Sequence, residues 1–202
     1  MIKTVKILFL SFFVISVFAE AGIKFTYTWK NPEAESLSFA GKKVAVVVLS
    51  TNRAGRRAAE EALAREITKR GAEGIAASAI VTESEIKDRE LAKTKFREQS
   101  IAGALVVRAT PEGGGTVDPD MWKNPIYKDV WGFTSRSWSQ EDAKPENVRF
   151  TVEMTVYSFE QDRTVWIGTT EMKSTKLSEF ISGVVDEIAE EMAKVDLLKP
   201  KQ

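Results

Sequence analysis

The hydrophobic pattern is plainest in Lys43-Val44-Ala45-Val46-Val47-Val48-Leu49-Ser50, an unbroken and largely β-branched run. A strand with both faces covered has this pattern, so the run predicts the central parallel strand of an α/β sheet. It ends in Ser50-Thr51-Asn52, with Asn52 or Thr51 placed to cap a helix. From about Arg53 to Arg70 the period changes: Ala59, Ala62, Leu63 and Ile67 recur at helical spacing, and Gly71 stands where the helix would close. On its outer face Arg56 with Glu60, and Arg57 with Glu61, are spaced i,i+4 and are expected to pair. Gly74 to Ile80 predicts a second strand, whose small residues require a helix packed closely over it. Thr82-Glu83-Ser84-Glu85 reads as a capping box opening a helix from Glu83 to about Gln99, a thin cover with Ile86, Leu91 and Phe96 as its bulky contacts. Ala102 to Ala109, again continuously apolar through Ala104-Leu105-Val106-Val107, predicts a third strand. Strands alternating with helices in this order imply right-handed parallel crossovers.

Before the central run, Phe25, Tyr27 and Trp29 alternate with Thr26 and Thr28, predicting a short edge strand with its aromatic residues on one face, stopped by Asn31-Pro32. Later in the chain Val148, Phe150, Val152, Met154 and Val156 alternate with Arg149, Thr151, Glu153 and Thr155, as in a half-buried antiparallel strand. Gln161-Asp162 is its turn and Arg163 to Lys173 its hairpin partner. Leu177, Ile181, Val184, Val185, Ile188, Met192 and Val195 then hold one face of a final helix, opposite Glu179, Asp186, Glu187, Glu190 and Glu191. The expected architecture is a single α/β domain over residues 22–202, in two or three layers. Its mixed sheet has three parallel strands plus a C-terminal antiparallel hairpin, with three helices. The Lys43–Ser50 strand is expected between the second and third.

Residues 1–21 follow a different logic. Lys3 and Lys6 precede a twelve-residue apolar stretch, Ile7 to Phe18, and Ala19-Glu20-Ala21 follows: the pattern of a secretory signal peptide cleaved after Ala21 or, second, after Ala19. Twelve residues fall short of the roughly 20 that span a bilayer, so no stable membrane span is expected after cleavage. The location expected is periplasmic or secreted.

Composition then narrows the chemistry. The 202 residues carry 29 Lys and Arg against 29 Asp and Glu, so the basic excess usual in a nucleic-acid binder is missing. There is no Cys and no His. Disulfides, thiolate nucleophiles, acylated Cys anchors, Ser-His-Asp triads and His-based zinc sites are thereby excluded. Carboxylate, Lys, Ser, Tyr and Arg remain, and no cofactor or metal is expected.

Three constellations stand out. Arg53, Arg56 and Arg57 sit at the mouth of the central strand, where open α/β sheets bind ligands, and could clamp a phosphate or carboxylate there; a solvated face paired with Glu60 and Glu61 is the plainer reading. Gly113-Gly114-Gly115-Thr116 lacks the Lys of a phosphate-binding loop. Asp118-Pro119-Asp120, with Glu112 or Asp129, offers too few oxygens at regular spacing for a calcium loop and no paired acid for glycoside hydrolysis. The third is an aromatic and Gly-rich insertion at residues 110–147 holding Trp122, Tyr127, Trp131, Phe133 and Trp138, residues suited to anchoring a partner surface or to plugging the end of the core. Its Trp122-Lys123-Asn124-Pro125 repeats Trp29-Lys30-Asn31-Pro32.

The order of these features (signal peptide, Trp-Lys-Asn-Pro, Lys-Val-Ala-Val-Val-Val, Arg-Arg-Ala-Ala-Glu-Glu-Ala-Leu, Ala-Gly-Ala-Leu-Val-Val-Arg, aromatic loop, hairpin and helix) resembles a group of short exported bacterial envelope proteins of unknown function. Their α/β domain is similar to the N-terminal domain of TolB and to curli-secretion and penicillin-binding-protein-activator lipoproteins. The resemblance implies a non-enzymatic binding or accessory role in the envelope through protein contacts, and the insertion around Trp122 to Trp138 is expected to contact the envelope partner. The lipidated Cys of many relatives is missing here. The alternative expectation is a periplasmic anion- or carbohydrate-binding protein, and after it a carboxylate-dependent glycan hydrolase.

Overall fold

The computed structural model describes residues 25–50, 52–111, 149–173 and 177–198. Its strands are β1 (Phe25–Lys30), β2 (Lys43–Leu49), β3 (Glu73–Ala76), β4 (Ile101–Pro111), β5 (Arg149–Ser158) and β6 (Arg163–Lys173). Its α-helices are α1 (Arg53–Lys69), α2 (Glu83–Lys87), α3 (Arg89–Glu98) and α4 (Leu177–Lys194). The six strands form one mixed sheet in the order β1-β6-β5-β4-β2-β3. As expected, β2 lies between β3 and β4 and is parallel to both, while β5 and β6 form the antiparallel hairpin. The strand count differs from the expected five because β1 joins the same sheet, antiparallel to β6. The expected signal peptide at 1–21 lies outside the described residues, as does the insertion from residue 112 onward.

The unbroken apolar run of β2 is explained by cover on both faces. Val44, Val46 and Val48 pack with Ala59, Leu63 and Ile67 of α1 and with Val184, Ile188 and Met192 of α4. Ala45, Val47 and Leu49 pack on the other side with Ile86 of α2 and with Ala92 and Phe96 of α3. The domain therefore has three layers, helices on either side of a sheet. The small residues of the second strand do mark a close helix: a Cβ on Gly74 would lie 2.2 Å from the Ala64 carbonyl oxygen of α1. Thr68 ties the two elements, its hydroxyl accepting from the Gly74 N–H at 3.0 Å and donating to Ala64 O at 2.8 Å.

Four local expectations are corrected. The second strand stops at Ala76, and Ala77–Ala79 turn into a 3₁₀ helix in place of a strand to Ile80. The single helix expected from Glu83 to Gln99 is two, because Asp88 adopts extended backbone (φ −92°, ψ 107°) and its carboxylate accepts from the Leu91 N–H at 3.1 Å, capping a new helix. The break resets the helical phase: Ile86 and Phe96 are buried, but Ala92 takes the other inward position and Leu91 stays 40% exposed. In β1 a bulge between Phe25 and Tyr27 shifts the register, placing Phe25 opposite Thr170 and Tyr27 opposite Thr169, so the aromatic residues no longer share one face. Phe25 meets Trp166 edge-on at 6.0 Å. Thr155 of β5, expected on the polar face, is buried.

The motif Trp29-Lys30-Asn31-Pro32 has a clear use. The Asn31 side chain caps a 3₁₀ helix by accepting from the Glu33 N–H at 3.0 Å, with Pro32 at its first position, and Lys30 Nζ donates to the Val195 carbonyl at 2.7 Å beyond α4. At the opposite layer, the β5–β6 turn is held by one carboxylate. Asp162, in left-handed backbone at φ 50°, takes Lys93 Nζ at 3.0 Å and the Tyr157 hydroxyl at 2.5 Å on the same oxygen.

Candidate functional site

After β2 the chain crosses one face through α1 to reach β3 on one side. After β3 it crosses the other face through α2 and α3 to reach β4 on the other side. The C-terminal end of β2 is thus the point where strand order reverses, the place where open α/β sheets leave a crevice. Asn52 begins α1 there, its side-chain oxygen accepting from the Gly55 N–H at 3.0 Å. Thr51, the other expected cap, is outside the described residues.

The buried anchor of this corner is Glu60. β3 pairs with β2 only as far as Val46↔Ala76, and beyond that point the two chains part. One oxygen of Glu60 accepts from the Val48 N–H at 3.2 Å and the other from the Ser78 N–H at 3.0 Å, so a single carboxylate spans the split. Its residue is 2% exposed. This overturns the expected Arg56–Glu60 surface pair: two backbone donors without a strand partner take both oxygens of the carboxylate, because leaving the buried Val48 N–H unbonded costs more than a solvated ion pair returns.

Arg56 turns instead to Glu83 at the start of α2, 3.7 Å away, and Arg53 reaches the same carboxylate at 3.2 Å. Lys87 approaches the other oxygen of Glu83 at 3.7 Å. Arg53, Arg56 and Lys87, with Thr82, Glu83 and Ser84, line an open cleft of about 510 Å³. Arg56 forms its floor, with a side chain 12% exposed, and Arg53, at 81%, stands on its rim. Arg57 does not line the cleft. It pairs with Glu61 at 2.8 Å on the outer face of α1, as the spacing predicts, and that hydrogen bond raises its pKa above the usual guanidinium value.

The sequence-derived trio therefore divides: Arg53 and Arg56 converge, Arg57 does not. Glu83 and Lys87, which no spacing argument connected to the arginines, complete the site. The only sign of them in the sequence is the capping box Thr82-Glu83-Ser84-Glu85, which is present as read: Thr82 Oγ1 accepts from the Glu85 N–H and Glu85 accepts from the Thr82 N–H at 2.8 Å. It sets where α2 starts and hence where Glu83 points. Chemically the cleft offers cations, hydroxyls and one ion-paired carboxylate, a surface for holding a charged group. Among the described residues no group of His, Cys, Asp or Glu side chains could hold a metal ion. The aromatic candidates Trp122, Tyr127, Trp131, Phe133 and Trp138, the acids Glu112, Asp118, Asp120 and Asp129, and the Gly113–Gly115 stretch all lie outside the described residues. Among those that are described, no helix is long and apolar enough to cross a membrane.

No family model matches the chain, and no curated protein is similar to it. Solved structures similar to it include the PelC dodecamer from Paraburkholderia phytofirmans, at 11% identity and TM-score 0.47 over 87% of this chain and 97% of that one. A single-substitution variant of the same dodecamer gives 14% and 0.48 over 88% and 100%. The lipoprotein GNA1162 from Neisseria meningitidis gives 11% and 0.39 over 73% and 96%. These structures do not bear on the expected likeness to TolB, and at such values they assign the chain neither a family nor a role.

Proposed function

We propose that the protein is an exported, non-enzymatic binding or accessory protein of the bacterial cell envelope, acting through contacts with a protein partner. The observation that carries this reading is the make-up of the cleft at the end of β2. It gathers two arginines, a lysine and two hydroxyls around a carboxylate that is already ion-paired. The lack of His and Cys narrows the chemistry open to the chain to carboxylate, Lys, Ser, Tyr and Arg. The signal-peptide pattern of residues 1–21 supports the exported location, and the aromatic residues gathered in 110–147 supply anchors of the kind protein interfaces use.

The test is photo-crosslinking in cells with the probe at Trp131, followed by mass spectrometry. One envelope protein should be captured, and capture should disappear when the probe is moved to Glu190 on the exposed side of α4. Self-crosslinks alone, or equal capture from both positions, would sink the reading.

A further inference from the structure

We infer that the Arg53–Arg56–Lys87 cleft takes the carboxylates of an acidic peptide segment of the partner, and that Glu83 is an internal occupant which the partner displaces. The inference rests on the accessory role proposed above and gives the partner's chemistry. Three cations from two helices already surround one carboxylate at 3.2, 3.7 and 3.7 Å, so the cleft has the charge to hold that group. The longer two of these distances exceed a hydrogen bond, so Glu83 is held there by charge more than by directed bonds.

The occupant is well placed to leave. Glu83 is 28% exposed, and its carboxylate does none of the capping of α2, which Thr82 and Glu85 perform between themselves. A change of side-chain rotamer therefore moves the Glu83 carboxylate away from the cations without unwinding the helix. Arg56 is held at the floor, packed at the mouth of the buried Glu60 corner, so its guanidinium is ordered before a ligand arrives. The shape of the cleft favours a peptide over a small phosphate. It is open, Asn52 already occupies the Gly55 N–H of α1, and among the described residues no glycine-rich loop brings further amides to it. Acidic side chains on an extended segment can reach Arg53 and Lys87 on the rim together with Arg56 below.

The test uses the full mature chain, fluorescein-labelled hexaglutamate, and fluorescence anisotropy at low ionic strength, with tripolyphosphate as a second probe. Glu83→Gln should lower the Kd for hexaglutamate about fivefold, since surface pairs of this kind are individually weak. Arg53→Ala in the Glu83→Gln background should reverse that gain, Arg57→Ala should leave it unchanged, and added salt should weaken binding throughout. Arg53 is exposed on the rim, so this variant keeps the test valid even if Arg56→Ala disturbs folding. Equal affinity of the native chain and Glu83→Gln, or an equal loss from Arg57→Ala, overturns the inference. Binding of tripolyphosphate without hexaglutamate overturns it in favour of phosphate. Partner capture at Trp131 without any effect of Glu83→Gln defeats the inference alone, whereas hexaglutamate binding without capture defeats the accessory role.

Discussion

Removing the Glu60 carboxylate should open the corner on which the cleft is built. In Glu60→Ala the N–H groups of Val48 and Ser78 both lose their acceptor, in a place where Glu60 is 2% exposed and no neighbouring strand replaces it. Hydrogen bonds to charged groups contribute roughly 1.5–3 kcal/mol each, and burying the carboxylate itself has a cost, so the net loss should be about 3 kcal/mol. For a domain of this size a loss of that order lowers Tm by roughly 6–12 °C. Glu60→Gln is the informative companion. One amide oxygen can still accept, but the amide nitrogen then faces a backbone donor, so about 2 kcal/mol should be lost. Scanning calorimetry gives the stability, and amide hydrogen exchange locates it, with the Val48 and Ser78 amides exchanging faster in both variants while those of β5 are unchanged. If Glu60→Ala melts within about 1 °C of the native protein, or exchange at those two amides does not change, the carboxylate is not bridging the split and the reasoning fails.

Other expectations follow from the same structure. Asp162→Ala leaves the Lys93 ammonium, 8% exposed, without its carboxylate and should cost about 2 kcal/mol by urea denaturation; Asp162→Gly should cost about 1 kcal/mol less, because glycine tolerates the φ of 50° there. Gly74→Ala forces a Cβ to within 2.2 Å of backbone oxygen and should cost about 3 kcal/mol, and trimming Ala64 to Gly should not rescue it, since the clash is with main chain. Glu85 is held down to a pKa of about 2, first by the hydrogen bond from Lys95 and then by the Thr82 N–H. Its folded pKa lies below its unfolded one, so its stabilisation is present above the ordinary carboxylate range and is lost as pH falls towards 2. The urea midpoints of the native protein and Glu85→Gln should therefore converge on acidification from neutral pH to about 2; a constant gap would contradict the assignment.

Much of what neighbours in sequence set was legible from the chain. The β2 run, the α1 stripe with its Asn52 cap, the Gly71 close at φ 96°, the Thr82–Glu85 capping box and the Gln161-Asp162 turn each depend on periodicity or on a side chain reaching a few residues along its own backbone. The central place of β2 was legible too, because only a strand covered on both faces can be apolar at every position.

Other features depended on distant parts of the chain. The pairing of β1 with β6 joins segments some 140 residues apart, and its bulge redirects Phe25 in a way that alternation alone cannot encode. Asp88 could have continued a helix, and its extended backbone became clear only with α3 packed on β4 and β2. The site shows the same division. Helical spacing states which side chains can meet, and it correctly paired Arg57 with Glu61; for Glu60 it named Arg56, but tertiary structure supplied a stronger claim. Where β3 turns away from β2, the buried Val48 amide and the Ser78 amide lack strand acceptors, and the need for one outweighs a solvent-screened ion pair. That choice sends Glu60 inward and leaves Arg56 to meet Glu83, a residue from another helix whose position no local pattern could supply.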